Sequence, residues 1–262
     1  MRVVVCFFGI TRNLEQHTLA SIESHLLAPV ARLDPQYVKL GHFNLPYTVI
    51  NPRTGENEVL KDPREFERLR LDRADCTDQA QVDQALGFEE VRRFGDVWED
   101  DSVSLRNLLR QLYSLNRVTD LLVESGKDFD LVIYSRADLR FESPARIPRI
   151  RPRTLYTPWF CKAGGLNDRF ALGDQPTMVQ YGRRGGWALR YCAETRRPLH
   201  SERFLAWYTR KLRLRAVDLT DVSFSRIRAH GSVAPWDIIV QQRLKHRLKH
   251  AFSRLKNAAL WI

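Results

Sequence analysis

Residues 2–8 form an unbroken β-branched and aromatic run closed by Gly9, which reads as a strand buried on both faces of a largely parallel sheet. After the loop Gly9-Ile10-Thr11-Arg12, Leu19, Ile22, Leu26 and Leu27 recur at helical spacing, and the helix they predict ends at Pro29. Strand, loop and helix in this order make the first half of a nucleotide-binding α/β unit. Residues 37–44 predict a second strand. Residues 51–101 are highly charged, punctuated by Pro and Gly and weakly periodic, and read as an exposed excursion with short helices.

The clearest helix spans residues 104–124. Leu105, Leu108, Leu109, Leu112, Leu115, Val118, Leu121 and Leu122 form a wide apolar stripe that stops at Ser125-Gly126. Behind it, Leu131-Val132-Ile133-Tyr134 predicts a buried central strand that runs out into Ser135-Arg136-Ala137-Asp138. Those polar groups then sit at the carboxyl end of the strand, the edge where open α/β sheets collect ligands. Residues 154–160 predict a further strand, followed by the loop Gly164-Gly165-Leu166-Asn167-Asp168 and a short apolar segment. Residues 204–212 are amphipathic.

The last stretch, 236–262, has a different character. Leu244, Leu248, Phe252, Leu255, Ala259 and Ile262 line one helical face, and Arg243, Lys245, Arg247, Lys249, Arg254 and Lys256 fill much of the rest. A basic amphipathic helix of this kind can lie on an anionic membrane, pack on its own domain or bind RNA. The expected organisation is a catalytic domain over 1–235 and this helix over 236–262.

Composition narrows the class. In 262 residues, 44% are hydrophobic and 28% charged, which excludes a disordered chain and a fibrous one. The net charge of +11 predicts an anionic partner such as a nucleotide phosphate, a nucleic acid or an acidic membrane surface. Cys6, Cys76, Cys161 and Cys192 are scattered, against both a zinc cluster and a disulfide scaffold, so a cytoplasmic location is expected, peripheral on the inner face of a membrane if 236–262 binds lipid. The longest apolar run, 3–10, is well below the roughly 18 residues of a spanning helix, and no spanning or secretory segment is expected. No GxGxxG, GxxxxGK[ST] or GxSxG occurs, which disfavours a dinucleotide enzyme, a P-loop kinase and a serine hydrolase.

The pieces Phe7-Phe8-Gly9-Ile10-Thr11-Arg12, Asn51-Pro52-Arg53-Thr54-Gly55-Glu56, Ser104-Leu105-Arg106-Asn107, Gln111-Leu112-Tyr113-Ser114-Leu115, the run 130–141 and the run 164–171 follow one another over roughly the first two-thirds of the chain. In that order the pattern resembles a group of GT-A-like glycosyltransferases of bacterial and viral glycan pathways. The resemblance implies a GT-A-like α/β fold, a mixed and mostly parallel sheet flanked by helices. It also implies transfer of a hexosyl or deoxyhexosyl group from a UDP- or GDP-linked sugar to a glycan or lipid-linked acceptor. The group's Asp-x-Asp triplet is replaced here by Arg136-Ala137-Asp138, similar to an Arg-x-Asp-Leu variant.

The chemistry follows from residue types. A carboxylate at a strand end can hold Mn²⁺ or Mg²⁺ against both phosphates of a leaving nucleoside diphosphate, which makes Asp138 the candidate metal ligand. Arg136 can instead neutralise phosphate charge by a bidentate contact, or pair with Asp138 as an ordinary salt bridge. Gly9, Thr11 and Arg12 are placed to meet the nucleotide with backbone N–H groups and a guanidinium, unless Thr11 simply caps the helix. Gly165 and Asn167 suit a loop that approaches the sugar closely, with Asp168 as general base, substrate-orienting group or helix cap. Glu202, in the helix start His200-Ser201-Glu202, is the alternative base or a first-turn residue favoured by the helix dipole. The competing class is a basic RNA-binding or scaffold protein, although no nucleic-acid module is recognisable and no specific nucleic acid is expected.

Overall fold

The computed structural model of the protein describes residues 1–60 and 62–233. Its strands in chain order are β1 (Val3–Gly9), β2 (Val38–Leu45), β3 (Thr48–Asn51), β4 (Glu56–Val59), β5 (Arg73–Asp78), β6 (Leu131–Arg136), β7 (Leu139–Phe141), β8 (Thr154–Pro158), β9 (Phe170–Gly173), β10 (Arg215–Leu219) and β11 (Phe224–Arg226). Seven of them form one sheet in the order β10-β8-β9-β6-β1-β2-β5. β1 runs parallel to both neighbours, β2 and β6, whereas β9 is antiparallel to β6 and β8. The architecture is the α/β class expected, a mixed and mostly parallel sheet flanked by helices.

The continuous apolar run of β1 has two destinations. Val3, Val5 and Phe7 enter one core layer, with Leu14, Ile22, Leu26 and Val30 from the helical segments that follow β1. Val4, Cys6 and Phe8 enter the other, where the helix Val103–Glu124 contributes Leu115, Val118, Leu121 and Leu122. Every β1 residue from Val3 to Phe8 is fully buried. At about 1.5–3 kcal/mol for each large apolar side chain buried, this strand and its two covers supply much of the driving force for folding. The amino-terminal half of the long helix turns its stripe to a separate aromatic cluster, with Leu105, Leu108, Leu109 and Leu112 against Tyr191, Phe204 and Tyr208.

Two expectations are corrected. The helix after β1 does not stop at Pro29: a π-turn over Glu23–Leu27 leads into a last helical segment, Ala28–Leu33, with Pro29 in its first turn. Proline cannot donate to the carbonyl one turn back, and the backbone N–H of Ala145 takes that place on the His25 carbonyl at 2.7 Å. The region 51–101 is largely exposed and carries short helices as expected, but it is also part of the sheet structure. It supplies the antiparallel hairpin β3–β4, the edge strand β5 and short helices over Gln79–Gln84 and Phe88–Arg92. The buried side chains of 51–101 are scattered, Glu56, Leu60, Phe66, Leu69, Val82 and Val91, and β5 buries none, so the segment carries little periodicity. The predicted helix over 236–262 lies outside the described residues. Among the described residues no helix is long and apolar enough to cross a membrane.

Candidate functional site

A cavity of about 420 Å³ opens at the carboxyl edge of the sheet, where the strand order departs in both directions from β1. Gly9 at the end of β1, Asn44 in β2 and Arg136 at the end of β6 line it. The hairpin β3–β4 adds Thr48, Ile50 and Asn51, the helix Val103–Glu124 adds Ser104, Asn107 and Gln111, and the segment around 161–169 adds Lys162, Asp168 and Arg169. His200, Ser201 and Glu202 complete the lining from the start of the helix Ser201–Lys211. This is the switch-point crevice in which open α/β sheets bind ligands.

The turn after β1 is held from inside. Gly9 has φ +105°, a conformation side-chain-bearing residues seldom adopt. Its N–H donates to Ser114 Oγ (2.8 Å), and Ser114 Oγ donates in turn to the His42 carbonyl (2.6 Å). The Gly9 amide is therefore spent on the scaffold and does not face a ligand. His42 Nδ1 lies 3.1 Å from Ser114 Oγ, and His42 Nε2 lies 3.0 Å from Thr77 Oγ1. Burial keeps this ring neutral and pulls its pKa down to about 4.

Beneath the cavity runs a network of alternating charge. Asp138 is fully buried; its Oδ1 accepts from Arg136 Nε (2.8 Å) and its Oδ2 from Arg12 Nη1 and Arg136 Nη2. Burial opposes the Asp138 charge, but the Arg136 and Arg12 guanidiniums outweigh it and hold the carboxyl well below the usual range. Arg12 Nε also donates to Glu56 Oε1 (3.0 Å), which accepts the Ala229 N–H at 2.8 Å as well, and Glu56 Oε2 lies 3.5 Å from Arg228 Nη1. On the other side, Arg136 Nη1 donates to Gln111 Oε1 (2.6 Å), and Gln111 Nε2 donates to Asp168 Oδ2 (3.0 Å).

Mn²⁺ or Mg²⁺ on Asp138 does not fit this donor set. Both carboxylate oxygens already accept guanidinium N–H groups, so a cation would have to displace Arg12 and Arg136 from a fully buried site. Among the described residues no group of three or more His, Cys, Asp or Glu side chains is placed to hold a metal.

Of the residues singled out from sequence, Gly9, Arg12, Arg136, Asp168 and Glu202 line the cavity, and Thr11, Asp138, Gly165 and Asn167 do not. Thr11 is buried, and the helix cap falls to Asn13, whose side chain donates to the Ala229 carbonyl and makes no capping bond to the helix. Asn167 is fully buried: its Nδ2 donates to the Phe160 carbonyl (3.0 Å), and its Oδ1 accepts the Arg169 N–H (3.0 Å). Gly165 packs on the chain itself, since a Cβ there would lie 1.8 Å from the Glu202 carbonyl oxygen. That oxygen accepts the Leu166 N–H at 3.0 Å. The Gly-rich loop thus holds the start of the Ser201–Lys211 helix. Glu202 accepts from Ser201 Oγ and lies 3.7 Å from Arg169 Nη2 and 3.3 Å from His200 Nδ1. His200 stacks on Trp98, with ring centroids 5.6 Å apart, and is pulled below its usual pKa mainly by burial, with Glu202 opposing.

Sequence reasoning named Glu56 and His200 only within larger motifs, without a role, and missed Trp98, Arg226 and Arg228. The one available signal was Arg226-Ile227-Arg228, two cations alternating with an apolar residue as on one face of a strand. The antiparallel pairing of β7 with β11 brings this segment beside Asp138, whose carbonyl accepts the Ile227 N–H at 2.9 Å.

No family model matches the chain, and no curated protein does. Among solved structures, the chain is similar to mouse xyloside xylosyltransferase 1 in its apo form, at 11% identity and a TM-score of 0.43, over 84% of this chain and 85% of that one.

The electrostatic balance of the site is positive. Arg110 and Lys162 on the lining pair with Asp83 and Asp218. Among the described residues, seven arginines and Lys162 line the cavity together with two carboxylates, Asp168 and Glu202, and beneath it Glu56 pairs with Arg12 and Arg228 and Asp138 with Arg12 and Arg136. Burial lowers the pKa of the Arg228 guanidinium to about 9, with Arg226 and Arg12 adding to the shift and Glu56 and Asp138 opposing it.

Proposed function

We propose that the cavity binds a nucleoside-diphosphate sugar and that the protein is a glycosyltransferase, moving a hexosyl or deoxyhexosyl group to a hydroxyl of a glycan or lipid-linked acceptor. The observation that carries this reading is the arginine-rich lining of a cavity at the switch-point edge of a largely parallel sheet. A diphosphate is an anion, and guanidiniums are its natural partners. The cavity, about 420 Å³, lies within the range of small-molecule sites.

In the reaction, the acceptor oxygen forms a bond to the anomeric carbon while the bond from that carbon to the diphosphate oxygen breaks. The electron pair leaves with the nucleoside diphosphate, and the hydroxyl proton passes to a carboxylate. Asp168 is suited to take it: it lines the cavity and is held in place through Oδ2 by Gln111. Glu202 is the second candidate, oriented by Ser201 with Arg169 nearby. The network Asp168-Gln111-Arg136 couples the proposed base to the proposed phosphate side through one side-chain amide.

The test is a panel of UDP- and GDP-linked sugars scored by thermal stabilisation, followed by a transfer assay with the best donor, since a ligand of the native state alone raises its melting temperature. One or more donors should stabilise the protein saturably. If none does while unstructured RNA binds saturably, the protein is a basic nucleic-acid or scaffold protein instead.

A further inference from the structure

We infer that the diphosphate of this site is held by an arginine cluster, Arg12, Arg136, Arg226 and Arg228, in place of a divalent cation. The inference rests on the nucleotide-sugar reading and goes beyond it by assigning the phosphate site and its chemistry.

Three observations converge. The first is the donor set described above, in which the strand-end carboxylate of Asp138 is enclosed by Arg12 and Arg136. Its role is to fix two guanidinium planes at the end of β6. The second is Arg228. Its side chain is only 2% exposed and lines the cavity; Nη1 reaches Glu56, yet the buried Nε has no hydrogen-bond partner among the described residues. A buried charged donor without an acceptor is costly, so such a group calls for an explanation, and in a ligand-sized cavity a ligand atom supplies one. The third is the crowding of like charge: beyond the larger effect of burial, Arg226 and Arg12 both act against the Arg228 charge, and Glu56 and Asp138 offset them in part. An anion among these groups relieves that repulsion and gives the Arg228 Nε–H an acceptor. A divalent cation among them would add to it.

The arrangement is topological in origin. β6 delivers Arg136 and the turn after β1 delivers Arg12. The β7–β11 pairing delivers Arg226 and Arg228 from the far end of the described chain. Glu56, from the hairpin β3–β4, ties Arg12 to Arg228. Each guanidinium is therefore held before the ligand arrives, and little side-chain ordering remains to be done on binding.

The probe is inorganic pyrophosphate, titrated calorimetrically into the full-length protein at low ionic strength in excess EDTA, then with Mn²⁺ in place of EDTA. Saturable binding in EDTA is expected, and Mn²⁺, which competes for pyrophosphate, should weaken it. Arg226→Gln and Arg228→Gln should each weaken binding roughly ten- to hundredfold, the range for a charge-assisted hydrogen bond. Arg228→Lys should recover part of the loss. Melting curves of each variant establish that it is folded, and Arg226→Gln leaves the Arg228–Glu56 pair untouched. Binding that appears only with Mn²⁺, or folded variants that bind as the wild type does, would overturn the inference and leave the nucleotide-sugar reading standing. Absence of binding to pyrophosphate and to every nucleotide sugar, with or without metal, would remove both. Pyrophosphate binding in EDTA without nucleotide-sugar binding would keep the phosphate site and remove the proposed function.

Discussion

Single residues in this site divide into those that meet a ligand and those that hold the others in place. Asp138 belongs to the second group. Asp138→Asn leaves Arg12 and Arg136 facing a neutral amide in a fully buried position, and breaking a buried pair from one side costs about 3–5 kcal/mol. The expected outcome is a lowered urea midpoint, with any loss of donor turnover following from it; unchanged stability would show that the pairing is not structural. Asp168→Asn retains the shape of the side chain but cannot take a proton. It should lower the transfer rate constant by about two to four orders of magnitude while donor affinity stays nearly constant. If the rate survives and Glu202→Gln abolishes it, the two carboxylates exchange roles. His42 gives the pH dependence. Its pKa is about 4 in the folded protein against 6.5 for the ordinary side chain, so it is neutral in both states at pH 7. Between pH 6.5 and 4 the unfolded chain takes up a proton that the native state refuses. Stability therefore falls through this window, by about 3 kcal/mol from this group. The urea midpoint of wild type should drop accordingly between those pH values, and His42→Gln, although weaker at neutral pH, should show a flatter profile. Identical slopes for the two proteins would exclude His42 as the source.

At the scale of elements, the loop 162–169 and the helix Ser201–Lys211 act as one unit. Their backbones touch at Gly165, where even a methyl group would collide with the Glu202 carbonyl, 1.8 Å from the Cβ position. Gly165→Ala must displace the helix start that carries His200 and Glu202, or the loop that carries Asp168. Overpacking of this kind typically costs about 1–3 kcal/mol, and transfer activity should fall further than that loss implies, because both candidate bases lie on the displaced segments. Gly164→Ala, at a position with φ +83° but no backbone contact, should cost stability with a smaller effect on turnover. Equal activity in the two variants would show that the contact does not position the site. Much of this architecture was legible where one element buries a continuous run or stripe: β1, the helix Val103–Glu124 and β6 all appear within a residue or two of their predicted bounds. Illegible parts are short and defined by distant partners. β11 has three residues, too few for a periodic signal beyond the short alternation Arg226-Ile227-Arg228, and Arg228 meets Glu56 across 172 positions of sequence. Pro29 misled because its lost hydrogen bond is replaced by Ala145, more than 100 residues later. The Gly-rich loop misled for a related reason: glycine signals close approach, and here the object approached is the chain's own backbone.

For the whole molecule, the positive charge is divided between the cavity and the segment 236–262, whose six Lys and Arg face one acid, Asp237. These two cationic regions predict different salt and truncation behaviour. The cavity holds its guanidiniums in a partly enclosed site, where screening is weak, whereas an amphipathic helix at a lipid surface depends on exposed charges that salt screens readily. The full chain should sediment with vesicles rich in anionic lipid at low salt, each cation near the surface adding about 1 kcal/mol, and should be released at high salt. Deleting 236–262 should abolish sedimentation while leaving pyrophosphate affinity and the melting temperature of the remaining domain close to those of the full chain. The opposite use of the same stripe, with Leu244, Leu248 and Phe252 packed against residues 1–235, predicts that the deletion lowers the melting temperature by several degrees or causes aggregation, since losing several large apolar contacts removes kilocalories from a marginal total. A truncated protein that stays soluble, binds pyrophosphate and still sediments with vesicles would contradict both uses and place the membrane contact within residues 1–235.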